Sequence, residues 1–136
     1  MIFFFILGTI VGSFLNVVAL RMERNEDFVH GRSACPRCGS LIRWYDNIPL
    51  FSFLWLRGRC RGCHNPISWR YPAVELVTGI GYAVLAACFF NPIEASAWIE
   101  TLWLLGRFSF FLVIALYDSQ TMEIPIALLQ ASAVWT

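Results

Sequence analysis

Long apolar runs on either side of one polar stretch dominate the sequence. Residues 2–20 contain no charged side chain, and nineteen positions are about enough for a helix to cross a hydrocarbon core of roughly 30 Å. A second uncharged run, residues 74–90, has marginal spanning length. Pro92 marks its end, because proline cannot continue a helical hydrogen-bond ladder and restricts the residue before it. The pattern predicts two membrane helices that flank a polar loop.

A third apolar run, residues 98–117, is long enough to span but carries Glu100 and Arg107. An arginine at mid-span costs on the order of 2.5–3.5 kcal/mol on insertion scales, so Arg107 is expected to face the bundle interior and find a partner there. The last run, residues 124–135, is apolar but too short to span. We expect it to be a fourth helix that stops before it is complete.

Composition and charge support a membrane protein of defined orientation. The chain is 58% hydrophobic and 14% charged, whereas soluble domains are about 45–50% apolar and about 25% charged. All ten basic residues are arginines, and nine lie in residues 21–73, a loop short enough for the positive-inside rule. We therefore expect this loop in the cytoplasm, the N-terminus outside, and residues 118–125 back at the cytoplasmic face.

Four of the five cysteines form two identical CxxC spacings within the polar loop. Two residues between thiols let a tight turn aim both sulfurs at one point, and two such knuckles supply the four soft ligands that tetrahedral Zn²⁺ prefers. The predicted ligands of a structural zinc ion are Cys35, Cys38, Cys60 and Cys63. The predicted fold is an all-α integral membrane bundle with several spans and a cytoplasmic, zinc-ribbon-like four-cysteine loop.

Other interpretations of the cysteines are weaker. A pair of disulfides or a redox CxxC is disfavoured, because cytoplasmic thiols stay reduced and two matched knuckles on one loop favour metal. Nucleic-acid binding is not expected, since the positive-inside topology already accounts for the arginines. His64 is a possible substitute ligand, although a surface histidine is the favoured interpretation. Cys88 lies in the second span and is expected to be a small, buried apolar residue.

Polar and aromatic residues near the membrane leave several alternatives open. Gly8, Gly12 and Asn16 share one face of the first helix and predict a packing seam for another helix, unless the spacing is chance. Glu75 sits where the loop re-enters the bilayer and is expected at the headgroups. Asp118, taken alone, is typical of a span boundary. The aromatic residues of the loop form an interface belt or pack inside the loop domain; they are Trp44, Tyr45, Trp55, Trp69 and Tyr71.

Five segments together resemble the N-terminal part of the bacterial prepilin leader peptidases/N-methyltransferases, the type IV prepilin peptidases of the GxGD aspartyl-protease class. They occur in the order and at the spacing of that family. The segments are GSFLNVV (12–18), the paired CxxC knuckles, WYDNIP (44–49), LRGRCR (56–61), and RYPAVEL (70–76) with Thr78-Gly79.

The resemblance implies a membrane aspartic endopeptidase of the bacterial inner membrane. Such enzymes cut the short leader from prepilins and pseudopilins of type IV pili and type II secretion, then methylate the new N-terminal residue with S-adenosylmethionine. The family's first catalytic aspartate lies in an Asp-x5-(Ile/Leu)-Pro motif, which residues 118–125 match, so Asp118 carries over. The cysteine loop is associated there with methyl transfer, but no motif in this sequence assigns S-adenosylmethionine to named residues.

Two departures from the family pattern bear on the catalytic dyad. Ile126 stands where the family commonly has Asp or Asn after the proline, and no GxGD occurs in these 136 residues. Because one carboxylate cannot serve as both acid and base, we expect that this chain alone is not a competent peptidase. It is then either a fragment or a degenerate relative.

The resemblance also suggests a domain division and partners. Residues 1–92 are predicted to form an N-terminal domain with the first two membrane helices and the loop 21–73, and residues 97–136 the start of a truncated peptidase domain. The expected partners are a prepilin or pseudopilin substrate and membrane lipid. The alternative hypothesis is a non-catalytic membrane zinc-loop protein that binds prepilin or a secretion-machine partner.

Overall fold

The computed structural model describes residues 1–23, 33–91 and 95–121, and in this part of the chain every named element is helical. Three long helices and one short one follow each other, with a 3-10 turn at Trp44–Asn47 before the short helix. The helices are α1 (Ile2–Glu23), α2 (Phe51–Trp55), α3 (Arg70–Phe89) and α4 (Ala95–Thr121). The all-α fold class is therefore confirmed.

Three helices are long and apolar enough to cross a membrane: Ile2–Met22, Arg70–Phe89 and Ser96–Ser119. They correspond to the three long apolar runs, which confirms those predictions. The second span, α3, begins four residues before its predicted run, and it tolerates Pro72 because the missing N–H costs no hydrogen bond in the first turn. The predicted fourth helix, residues 124–135, lies outside the described residues.

The first and second spans pack antiparallel along a seam of small residues. A Cβ atom added to Gly8 would lie 2.6 Å from the Thr78 carbonyl oxygen and 2.8 Å from the Gly79 Cα. A Cβ added to Gly12 would lie 2.7 Å from the Thr78 hydroxyl. The backbones approach so closely that only glycine fits. The seam expected from the spacing of small residues on α1 is thus present, with α3 as its partner.

The third span, α4, closes the bundle against both other helices. A buried apolar cluster joins the three at Phe4, Tyr82, Ala86 and Leu105. The Tyr82 and Ser109 hydroxyls are hydrogen-bonded at 2.7 Å, so the polar end of the tyrosine is satisfied inside the bundle. These contacts fix the middle of α4 against the other two spans.

The expectation for Arg107 is wrong within the described helices: its side chain is exposed. The buried positions of α4 include Ala97, Thr101 and Leu105, spaced by four residues along one face. Arg107 is two positions beyond Leu105, and two residues turn a helix by about 200°. The arginine therefore points away from α1 and α3, and no carboxylate in residues 1–23, 33–91 or 95–121 pairs with it.

Replacing Gly8 by alanine is predicted to destabilise the bundle, because the new methyl group meets backbone atoms that can move only if the helices separate. Overpacking of this kind costs about 1–3 kcal/mol. Unfolding of the detergent-solubilised protein measures the loss. Ile10→Ala is the matched control, since Ile10 is 53% exposed on the same helix and should change stability much less. Equal stability of the two variants would contradict the seam.

Candidate functional site

The first cysteine knuckle is a compact turn closed by backbone hydrogen bonds. The Gly39 N–H donates to the Cys35 carbonyl at 2.8 Å, and the Cys35 N–H donates to the Ser40 carbonyl at 2.9 Å. One residue further out, the Ile42 N–H donates to the Ser33 carbonyl at 2.8 Å. These bonds hold the turn between Cys35 and Cys38 so that both sulfurs lie on one side of it.

The second knuckle repeats this pattern bond for bond, 25 positions later in the chain. The Cys60 N–H donates to the Asn65 carbonyl at 2.9 Å, and the His64 N–H donates to the Cys60 carbonyl at 3.0 Å. The outer bond joins the Ile67 N–H to the Gly58 carbonyl at 2.7 Å. Sequence reasoning found the cysteines but not this ten-residue repeat. The two copies lie 25 positions apart in the sequence, and this constant spacing of the cysteines could have revealed the repeat. Few residues other than cysteine are identical between the two copies.

The residue after each knuckle adopts the left-handed conformation. Gly39 has φ of 69° and His64 has φ of 58°. Glycine takes this conformation freely, whereas a residue with a Cβ atom is strained by roughly 1–2 kcal/mol. His64 is therefore the structural counterpart of Gly39, and its side chain is exposed.

The two knuckles bring all four predicted cysteines together. Their sulfur atoms lie within 4.8 Å of one another, and the Cys35 and Cys63 sulfurs are 3.9 Å apart. A tetrahedron with Zn–S bonds of about 2.3 Å has edges of about 3.8 Å, so the cluster has the size that such an ion requires. No disulfide joins cysteines in the described residues. Cys88 lies elsewhere, in α3, and the expectation that it is buried is wrong, because its side chain is exposed on that helix. The four-cysteine cluster can hold a metal ion.

Hydrogen bonds at two of the four cysteines favour the thiolate, the form that binds metals. The backbone N–H groups of Cys63 and Gly62 lower the pKa of the Cys60 thiol to about 6. The Ser40 hydroxyl and N–H lower the pKa of the Cys38 thiol. Donors aimed at sulfur stabilise its negative charge, and metal binding requires that charge. The knuckles thus prepare two of the four ligands before any ion binds.

An ion pair links the second knuckle to the 3-10 turn. The Arg61 guanidinium donates two hydrogen bonds to the Asp46 carboxylate, at 2.6 and 2.8 Å. The hydrogen bond from Arg61 lowers the pKa of Asp46, so the pair stays ionised at neutral pH. The Arg61 guanidinium also lies 5.5 Å from the centre of the Tyr45 ring. The segment between the knuckles is therefore folded onto one of them.

The loop joins the bundle through Glu75. The Leu50 N–H donates to the Glu75 carboxylate at 2.8 Å, and Glu75 is only 7% exposed. The Asn16 side-chain amide donates to the Tyr71 carbonyl at 3.3 Å in the same region. The Glu75 carboxylate turns inward to accept this loop N–H. The loop is thereby fixed to the helix pair.

Asp118 lies in the last turn of α4, with an exposed side chain. The Arg70 guanidinium donates to the Leu116 carbonyl at 3.4 Å, which places the end of α4 beside the start of α3. Because the loop enters the bundle at Arg70, Asp118 lies at the same end of the bundle as the four-cysteine cluster. The remainder of its motif, residues 122–125, lies outside the described residues.

Comparison with known proteins identifies the family. The family model for the bacterial peptidase A24 N-terminal domain matches residues 6–89, which include α1, the cysteine loop and α3. The chain belongs to the bacterial peptidase A24 family. Within that family it is similar to proteins named prepilin leader peptidase/N-methyltransferase.

Three of these A24 relatives show the range of similarity. The Myxococcus xanthus protein is 60% identical over 79 residues, covering 58% of this chain and 24% of the relative. The Klebsiella pneumoniae protein is 42% identical, covering 90% of the chain and 54% of the relative, and the Dickeya chrysanthemi protein is 36% identical, covering 88% and 48%. The chain spans about half the length of the latter two. No solved structure matches it.

Substitutions at the residue after each knuckle should show whether His64 is important for its backbone conformation or is itself a metal ligand. Gly39→Ala is predicted to weaken Zn²⁺ binding roughly 5–30-fold, because the added Cβ strains a turn whose folding is coupled to binding. The matched variant His64→Gly, which relieves the same strain, should bind Zn²⁺ at least as tightly. Titration against a chromophoric chelator measures both affinities. Loss of Zn²⁺ binding in His64→Gly would contradict the assignment and make His64 a ligand.

Proposed function

We propose that this chain provides the N-terminal domain and the first catalytic aspartate of a prepilin leader peptidase/N-methyltransferase. The family match over residues 6–89 carries the proposal for the N-terminal domain. The Asp-x5-Ile-Pro sequence at residues 118–125 carries the proposal for Asp118. The position of Asp118 at the same end of the bundle as the cysteine cluster supports it, because both then face the side from which a leader peptide approaches. In this proposal residues 1–92 form the N-terminal domain, and residues 97–136 begin the peptidase domain.

The proposed peptidase chemistry needs two carboxyl groups. One carboxylate activates water for attack on the peptide bond between leader and pilin, while the other, protonated, donates its proton as that bond breaks. Asp118 is exposed and free to fill one of these roles. The 136 residues contain no GxGD sequence, so the second carboxylate is proposed to come from outside them. We therefore expect these residues alone to leave prepilin uncleaved.

The metal in the proposal is a structural zinc ion. Four thiolates fill a tetrahedral site and leave no position for water or substrate, so the ion stabilises the loop and takes no part in peptide cleavage. The names of the A24 relatives include N-methyltransferase, and S-adenosylmethionine is the methyl donor proposed here. No residue of this chain is assigned to that donor.

The proposed location is the bacterial inner membrane, with the cysteine loop in the cytoplasm. Nine arginines in residues 21–73 support this orientation through the positive-inside rule. The polar end of the bundle then faces the compartment where prepilins are made. The proposed partners are a prepilin or pseudopilin and the surrounding lipid.

A chimera tests the proposal. The chain replaces the aligned N-terminal segment of the Klebsiella pneumoniae relative, and the chimera is co-expressed with a type IV prepilin in a host that lacks its own peptidase. Intact-mass spectrometry should show loss of the leader and gain of one methyl group. Asp118→Asn should slow cleavage by about 10²–10⁴-fold. Glu100→Gln, which removes another exposed carboxylate of α4, should cleave normally.

Expressing the 136 residues alone with the same prepilin completes the test. An unchanged precursor mass is expected, because the second carboxylate of the proposed dyad is absent when these residues are expressed alone. Cleavage by the chain alone would contradict the two-carboxylate argument. A chimera that folds and binds zinc but leaves prepilin intact would contradict the proposed function and favour a zinc-loop protein that only binds its partner.

A further inference from the structure

A group of large apolar side chains on the loop is exposed. On α2 the exposed fractions are 73% for Leu54 and 70% for Trp55, and Trp69, just before α3, is 75% exposed. Phe51 stacks on Trp55 with ring centres 6.0 Å apart and is itself exposed. The tryptophans therefore do not pack inside the loop domain. Exposed apolar surface of this kind indicates a contact with another apolar phase.

The hydrogen bond from the Leu50 N–H to Glu75 fixes the position of α2 along the axis of α3. Leu50, which directly precedes α2, is held by a carboxylate five residues into α3, a helix that is long and apolar enough to span. At 1.5 Å per residue this is about 7.5 Å along the helix from Arg70. In addition, the Phe53 and Trp69 rings lie 4.8 Å apart. The short helix therefore lies beside the first turns of a helix that is long and apolar enough to span.

Arginines follow the apolar residues directly. Arg57, Arg59 and Trp55 help to line a cavity of about 580 Å³, together with His64 and Arg61. Whereas Arg61 is paired with Asp46, neither Arg57 nor Arg59 pairs with a carboxylate among the residues that the structure describes. A planar guanidinium binds the oxygens of a phosphate in pairs, so two unpaired arginines in a cavity are suited to a phosphate group.

We propose that α2 and the Arg57–Arg59 cavity form a docking surface for the anionic phospholipids of the membrane in which the bundle sits. The arginines bind lipid phosphates, while Leu54 and Trp55 insert among the lipids at the boundary. The apolar side chains favour lipid over a soluble anion, because Trp55 belongs to both the cavity and the exposed apolar group. The cysteine loop then lies against the membrane surface.

Hydrogen exchange tests this docking. The zinc-loaded full chain is reconstituted in nanodiscs of phosphatidylcholine alone or with phosphatidylglycerol, and exchange is followed by mass spectrometry over residues 50–61. Phosphatidylglycerol should slow exchange in this segment on the order of tenfold, because two arginines gain anionic partners. Equal exchange in the two lipid mixtures would overturn the proposal. Equal slowing by inorganic phosphate in phosphatidylcholine nanodiscs would also overturn it, by showing a soluble-anion site.

Variants separate the two parts of the surface. Arg57→Gln combined with Arg59→Gln should abolish the effect of phosphatidylglycerol. Arg37→Gln combined with Arg43→Gln removes the same charge from outside the cavity and should preserve the effect. Leu54→Ser should speed exchange of the segment in both lipid mixtures. Unchanged zinc content and unchanged exchange over residues 74–89 establish that each variant is folded. A folded cavity variant that still responds to phosphatidylglycerol would contradict the proposal.

Discussion

The loop depends on the convergence of its four cysteine sulfurs, because it has almost no core of its own. Among residues 33–69 only Cys35 is buried, and neither α2 nor the 3-10 turn contains a buried residue. Hydrophobic burial cannot stabilise such a segment. Structural zinc in small domains contributes apparent binding free energies of about 10–16 kcal/mol, which is also folding free energy. A metal ion in the cluster would replace the missing core, and the backbone bonds of the knuckles prepare its ligands.

The membrane helices, by contrast, hold together through close packing, and the loop is attached to them at a specific point. Glycines on α1 let the α3 backbone approach until only glycine fits. At the loop end of the same interface, Glu75 accepts the Leu50 N–H. The Arg70 contact brings the end of α4, and with it Asp118, to this end. One end of the bundle therefore combines the metal cluster with the candidate catalytic carboxylate.

The sequence predicts most of the elements, since its signals are local. Uninterrupted apolar length predicts the three spans, and the CxxC spacing predicts the sulfur cluster. The failures concern contacts between distant segments. The cost of an arginine in lipid predicts an interior position for Arg107, yet its angular position on α4 depends on which neighbours pack there. The Glu75–Leu50 bond joins residues 25 positions apart, and Leu50 has a positive φ of 59°, a conformation that no local signal predicts for leucine.

The zinc-held loop is the central claim, and X-ray absorption at the zinc edge of the purified full chain tests it most directly. The account predicts one zinc ion per chain, with four sulfur ligands at about 2.3 Å and no nitrogen or oxygen in the first coordination sphere. A nitrogen ligand would assign His64 to the site, and an oxygen ligand would open it to water. Either result would contradict a closed structural site, as would a folded loop that purifies without metal.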